Sequence, residues 1–294
     1  MKIAVTGGTG FIGSHFLKQA LAAGHAVKAI RRSYASQACL TISQQLEWLN
    51  GQLDEVTADE LQGCEVLVHF AAHSVQYPFD SLTNCLRWNL TAVLALFEQA
   101  RLAGIRRYIV AGSCFEYGRT GEQYHSIPTD ALLEPTNSYA ASKAAASIAL
   151  CQWADEYQLS LEILRVFHVY GEGEAKTRFW PSLRRAAFAG NDFPMTQGEQ
   201  IRDFIPVQKV ASLFLERSMK QDLDSSNSRV YNVGTGDPCS LIAFAQHWWA
   251  KWNAKGKLLP GTVPYRGNEC MRYVPGNRLL RVSCQSLGDV TFNI

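Results

Sequence analysis

Two clusters in this chain carry chemistry in their residue types and spacing. Tyr139-Ala140-Ala141-Ser142-Lys143 sets a phenol and an amine four residues apart, on one face of a helix. A lysine cation beside a phenol favours the phenolate and makes the tyrosine a proton donor and acceptor near neutrality. Gly7-Gly8-Thr9-Gly10-Phe11-Ile12-Gly13 is the second cluster. It satisfies Gly-x-Gly-x-x-Gly from Gly8 and Gly-x-x-Gly-x-x-Gly from Gly7. Glycines there let the chain turn tightly, let backbone N–H groups approach a pyrophosphate, and let a following helix pack on the preceding strand. Either pattern alone is weak, since amphipathic helices and glycine-rich turns are common. Together they point to oxidoreduction with a bound dinucleotide, through Gly7, Gly10, Phe11, Ile12 and Gly13.

The type of dinucleotide is written after the second strand. A site for NAD usually places an Asp or Glu there, to accept from the ribose 2′-OH. Here the first acidic residue in the chain is Glu47, and the strand end reads Ile30-Arg31-Arg32-Ser33. Two guanidiniums and a hydroxyl suit a 2′-phosphate. The expected cofactor is NADP, read by Arg31 and Arg32.

Those clusters need a frame. Lys2 to Thr6 reads as a strand, Phe11 to Ala23 as a helix closed by Gly24, and Ala26 to Ile30 as a second strand. Glu65 to Phe70, Arg107 to Ala111 and Leu161 to Phe167 are further strands, with helices over Leu90 to Ala103 and Ser138 to Tyr157 between them. Strands alternating with helices imply an α/β fold, a Rossmann-type doubly wound parallel sheet that binds ligands at the carboxyl ends of its strands. After Tyr170 glycines and prolines break the pattern. Residues 1–170 read as the NADP-binding domain, with 203–236 returning to it. Residues 171–202 and 237–294 read as a smaller, interleaved substrate lobe.

Composition narrows the classes. The 294 residues are 47% hydrophobic and 18% charged, a globular balance. With 28 Lys and Arg against 26 Asp and Glu, the net charge of +2 excludes the broad basic footprint of a nucleic-acid binder. No apolar run is long enough to span a bilayer, and no secretory h-region precedes the glycines. Eight cysteines without a Cys-x-x-Cys pair read as reduced, mostly buried thiols, with no metal site and a cytoplasmic location expected.

The chain resembles the extended short-chain dehydrogenase/reductases, the family of nucleotide-sugar epimerases, dehydratases and ketoreductases. The resemblance runs through Thr6 to Gly13, His69 to Ala72, Asn89, Ser113 to Gly118, Tyr139 to Lys143, Leu164 to Gly171, Gln200 to Phe204 and Tyr231 to Gly234. It implies a catalytic triad of Ser113, Tyr139 and Lys143. Ser113 would bond the sugar oxygen, Tyr139 would carry the proton, and Lys143 would tune Tyr139 and hold the nicotinamide ribose. Gln52, Leu53, Ala71, Ala72, Asn89 and Phe167 would line the cofactor. Arg178, Phe179, Arg202 and Arg266 would meet the substrate, with Arg202 and Arg266 clamping its diphosphate. The family often has Asp where Gln52 stands and Asn where His168 stands.

The same resemblance sorts the reaction. The family's 4,6-dehydratases carry Asp-Glu directly after the residue matching Ser113, where this chain has Cys114-Phe115, so dehydration is disfavoured. One proton carrier and an NADP-type site fit NADPH-dependent reduction of a nucleoside-diphosphate 4-keto-6-deoxyhexose, as in the CDP-abequose synthase type of 4-ketoreductase. Such an enzyme would serve deoxysugar biosynthesis. The alternatives are a nucleotide-sugar C4-epimerase and, from another class, a non-catalytic NADP-binding regulator. The resemblance also implies a homodimer built on the helices near Leu90 to Ala103 and Ser138 to Tyr157.

Overall fold

Val66, Leu67 and Val68 are buried on both faces of their strand, as an interior parallel strand requires. The computed structural model of the chain describes residues 1–42, 46–220, 228–267 and 269–276. Strands β1 (Lys2–Thr6), β2 (Ala26–Arg31), β3 (Glu47–Asn50), β4 (Val66–His69), β5 (Arg107–Ser113) and β6 (Ser160–Val166) form most of the central sheet. Short strands β7 (His168–Tyr170), β8 (Phe193–Met195), β9 (Ile201–Arg202) and β10 (Phe204–Pro206) follow, and then β11 (Arg229–Val233). Strands β12 (Cys239–Ser240), β13 (Leu258–Pro260) and β14 (Arg272–Tyr273) come last. The seven-stranded sheet runs β11-β6-β5-β4-β1-β2-β3, with every neighbouring pair parallel. This is the doubly wound α/β sheet expected from the alternating pattern.

Helices cover both faces. They are α1 (Phe11–Ala22), α2 (Leu82–Leu86), α3 (Ala92–Leu102), α4 (Ser138–Glu156), α5 (Phe179–Ala189), α6 (Val207–Met219) and α7 (Leu241–Lys251). On one face Phe16 and Leu17 of α1 and Val210 and Phe214 of α6 pack on Ile3, Val5 and Val68. On the other, Leu96 and Phe97 of α3 and Leu150 of α4 pack on Ala4, Leu67 and Tyr108. The two sets alternate along β1, the period-2 signature of a strand with a helix layer on each side. Each such large apolar side chain contributes roughly 1.5–3 kcal/mol by leaving water.

The second half of the chain divides between sheet and lobe. β11 and α6 join the sheet layer, α6 being tied down by the buried Arg217–Glu162 ion pair. β10 pairs with β7 in a separate two-stranded sheet rather than with the main one. β8 with β13, and β12-β9-β14, make two further small sheets, packed near α5 and α7. Trp248 and Trp249 of α7 are buried in that lobe's core with Trp180 and Phe244. Residues 277–294, expected in the lobe and including Cys284, lie outside the described residues, as do 221–227. The seven described cysteines are all free thiols; Cys64, Cys85 and Cys114 are buried, whereas Cys39 is exposed. No helix among the described residues is long and apolar enough to cross a membrane.

Candidate active site

The glycine turn joins β1 to α1. Gly7 adopts φ +69°, and a Cβ on it would sit 2.5 Å from the Ala71 nitrogen, so strand exit and turn are in backbone contact. A Cβ on Gly13 would meet the Gly7 carbonyl oxygen at 2.2 Å. Gly10 caps α1 without a side chain, and the first helical bond is Ser14 N–H to the Gly10 carbonyl at 2.9 Å. The N–H groups of Phe11, Ile12 and Gly13 therefore point out of the helix start, where the macrodipole favours an anion. The residues present fit a dinucleotide pyrophosphate. Ala71, whose N–H donates to Thr6 Oγ1 at 3.2 Å, and Ala72 border the turn from the end of β4.

At the carboxyl end of β2, Arg31 Nε donates to Asn50 Oδ1 at 2.9 Å, and its guanidinium lies over the rings of Trp48 and Tyr34. Arg32 is exposed beside it. Glu47 stands at the opposite end of β3, paired with Lys28 at 2.9 Å and Lys2 at 3.2 Å. Gln52 and Leu53 follow β3 half-buried, and the Gln52 N–H donates to Glu55 Oε2 at 2.7 Å.

Ser113, the last residue of β5, faces Tyr139 of α4, and both are buried, as is Lys143. Asn137 starts α4 by accepting from the Ala140 N–H at 2.9 Å, which fixes the register of Tyr139 and Lys143 on the sheet-facing side. Lys143 Nζ donates to the Ala111 carbonyl at 2.8 Å. The electrostatics differ from the expectation of a phenol already lowered by its lysine. Burial pushes the Tyr139 phenol well above its ordinary range, and a hydrogen bond from Ser113 works the other way. Burial likewise depresses the Lys143 ammonium, with Glu116 opposing. The reason is desolvation, which disfavours whichever form is charged. Cys114, next to Ser113, has its thiol pushed up to about 12 by burial, so it holds no thiolate at neutral pH.

Two other expected residues are held by protein contacts. Asn89, expected at the cofactor, spends its whole amide on the protein. It accepts from His73 N–H at 2.6 Å and donates to the His73 carbonyl at 3.1 Å and Ser142 Oγ at 2.9 Å. It lies in a widened π turn, Arg87–Thr91, between α2 and α3, so the helical stretch expected from Leu90 begins earlier, at Leu82, and the bulge delivers Asn89 to that bridge. Phe167 is buried between Tyr117 and Tyr273.

On the lobe side, Arg178 and Arg202 bring positive charge to one place. Both depress the His168 imidazole, which burial in the first instance lowers to about 3, and Arg178 also acts on Tyr139. His168 Nδ1 is buried without a partner, between the rings of Phe204 and Tyr273. Arg202 donates to the Cys270 carbonyl at 2.5 Å and to Glu269 Oε1 at 3.2 Å. Phe179 instead packs on Phe193 at 5.6 Å, in the lobe's own core. Arg266 is exposed on a turn, its carbonyl accepting from Glu269 N–H at 3.0 Å.

Sequence reasoning missed Glu116, which is fully buried, and the His69–Thr6 pair at 2.7 Å beside Lys143. Both depend on partners dozens of residues away, a signal that spacing does not contain.

The geometry has counterparts. The chain is 27% identical over 262 residues to a UDP-glucose 4-epimerase of Corynebacterium glutamicum, covering 82% of this chain and 77% of that protein. It is 26% identical over 278 residues to a dTDP-6-deoxy-L-talose 4-dehydrogenase (NAD(+)) of Aggregatibacter actinomycetemcomitans, covering 92% and 98%. The solved structure of MoeE5 in complex with UDP-glucuronic acid and NAD superposes with a TM-score of 0.80 at 27% identity, over 95% of this chain and 90% of that one. The model of the NAD dependent epimerase/dehydratase family matches residues 3–234, most of the chain and all of its central sheet. The chain belongs to the NAD dependent epimerase/dehydratase family.

Proposed function

We propose that this chain catalyses oxidoreduction at C4 of a nucleoside-diphosphate sugar, with Tyr139 carrying the proton of the C4 oxygen. The observation that carries the reading is the burial of Ser113, Tyr139 and Lys143 together, with Lys143 donating to the Ala111 carbonyl on the strand that ends in Ser113, in the same parallel sheet as the strand that leads into the glycine turn. Position 4 is the one that both named relatives act on. A nicotinamide dinucleotide, when bound, supplies the hydride acceptor or donor. Gly7, Gly10 and the N–H groups of Phe11 to Gly13 would hold its pyrophosphate, and Lys143 its ribose. Ser113 would orient the sugar oxygen toward the phenol, and Arg178 and Arg202 would face the substrate's diphosphate.

Of the two outcomes of that chemistry, 4-epimerisation is the better supported, through the UDP-glucose 4-epimerase relatives. Net reduction of a 4-keto-6-deoxyhexose is the second reading. It is supported by the Arg31–Asn50 edge and by the deoxysugar dehydrogenase relative. One experiment separates them: incubate the protein with dinucleotide and a panel of UDP-, dTDP-, CDP- and GDP-sugars, with 4-keto-6-deoxy forms included. Conversion at constant cofactor absorbance identifies an epimerase. One NADPH oxidised per sugar identifies a reductase. No conversion of any sugar, by either route, removes the proposal.

Arg31 gives a test of the cofactor. Charge-assisted hydrogen bonds to a 2′-phosphate contribute about 1.5–3 kcal/mol, so NADPH should bind roughly tenfold or more tighter than NADH. Arg31→Asp should close or reverse that gap in a fluorescence titration. Equal affinities in the unaltered protein would remove the phosphate-reading argument.

We also propose a homodimer through α4. Of the small-residue run at 144–150, Ala144, Ala146, Ser147 and Leu150 are buried in the subunit, which leaves Ala145, Ile148 and Ala149 facing outward. Ile148, 63% exposed, is the large apolar side chain of that outward face. Sedimentation at micromolar concentration should give a dimer, and Ile148→Glu should give a monomer. A monomeric unaltered protein would contradict it.

A further inference from the structure

We infer that Glu116 is the positioning residue of the site, fixing Ser113 against Tyr139 and setting the charge that Tyr139 and Lys143 face. The inference rests on the reading of Tyr139 as proton carrier.

Glu116 is fully buried on the short turn after β5, and both its carboxylate oxygens are engaged. Oε1 accepts the Ser113 N–H at 2.7 Å. Oε2 accepts from Ser147 Oγ at 2.8 Å and from Arg165 Nε at 2.8 Å. These three partners lie on β5, α4 and β6, the elements whose mutual placement decides whether Ser113 meets Tyr139. Ser147 is one helical turn beyond Lys143 and two beyond Tyr139, so a grip on Ser147 sets the rotation and height of α4. Gly112 leaves the space: a Cβ there would stand 3.0 Å from Glu116 Oε1. Arg165 is itself held, donating to Tyr117 Oη and to the Thr129 carbonyl at 3.0 Å each.

Stability alone does not explain such a pair, because a buried ion pair is often replaceable by apolar packing without loss. What an apolar substitute lacks is charge at this spot. The Glu116 anion opposes ionisation of the Tyr139 phenol and supports the Lys143 ammonium against its burial. The other groups facing them are Cys114 and Arg178 at Tyr139, His69 at Lys143, and Arg165, Tyr117 and Cys151 on the far side of Glu116. Of these, Arg178 counteracts Glu116 at the phenol.

The test is the double variant Glu116→Gln/Arg165→Met, which removes both charges while keeping an acceptor for Ser113. Dinucleotide titration reports that it is folded. We expect cofactor affinity close to that of the unaltered protein, kcat lower by about tenfold or more for the lost alignment, and KM little changed. A folded double variant that keeps full kcat overturns the inference. If the double variant does not fold, Arg165→Lys keeps both charges but cannot bond Glu116, Tyr117 and Thr129 together. It should lose kcat with KM unchanged, and full kcat would overturn the positioning role. Tyr139→Phe, run in parallel, separates the two claims: if it is fully active, the reading of the site fails and not merely the role of Glu116.

Discussion

Tyr139→Phe should lose at least about 10²–10⁴-fold in turnover, the usual contribution of a placed general acid or base, while still binding the dinucleotide. The substitution removes one oxygen and keeps the ring, which stacks at 6.2 Å on Phe79, so the fold has little reason to respond. The loss therefore belongs to the proton and not to packing. Lys143→Ala should also lose turnover, and should weaken cofactor binding as well. Its ammonium is buried against the Ala111 carbonyl, and its removal takes a cation from the place where the ribose would lie. Ser113→Ala should lose less, roughly 10–100-fold, since it deletes one hydrogen bond to the oxygen on which charge develops rather than the proton source. Stopped-flow turnover and fluorescence titration on the same preparations give both quantities. If Tyr139→Phe keeps full activity, the proton enters from elsewhere and the proposed site is wrong.

What could be read from the chain, and what could not, follows from the range of the contacts. The parallel sheet was legible because interior strands such as Val66-Leu67-Val68 are apolar without interruption, and because each is followed by a helix-period pattern. The strand Glu47–Asn50 was not legible: it is a short edge strand with a charged first residue and only half-buried interior positions. The glycine turn and the Tyr139–Lys143 pair show themselves within a few residues of sequence. The group that ties them together does not. Glu116 looks like any other glutamate until β6 brings Arg165 against it and α4 brings Ser147. The same limit explains the phenol. Spacing predicted a lysine beside it, but burial, which raises the phenol and lowers the lysine, depends on the whole fold. Asn89 shows the same limit, since its bonds to the His73 backbone and Ser142 join segments that the sequence keeps apart.

Gly13→Ala should sharply weaken dinucleotide binding and destabilise the fold, while Gly10→Ala should leave stability nearly intact. At Gly13 the added methyl would sit 2.2 Å from the Gly7 carbonyl oxygen and 2.8 Å from its carbon, both backbone atoms. The turn cannot recede, because Gly7 is itself pressed on the Phe70–Ala71 peptide, where a Cβ would come within 2.6 Å of Phe70 C. Relief must come from moving α1 outward, away from Ile3, Val5 and Val68, which it covers with Phe16 and Leu17. Overpacking of this kind costs about 1–3 kcal/mol, and an outward shift of 1 Å carries the Phe11 to Gly13 N–H groups away from the pyrophosphate. At Gly10 the corresponding contact is 3.3 Å and φ is −82°, an ordinary conformation for alanine. Urea denaturation should therefore rank the variants as Gly10→Ala close to the unaltered protein and Gly13→Ala well below it. Dinucleotide affinity should fall by about 10²-fold or more for Gly13→Ala, the equivalent of about 2.7 kcal/mol. Equal stability of the two variants would mean that α1 yields freely, and the close strand–turn–helix contact would then not be what requires glycine at this position.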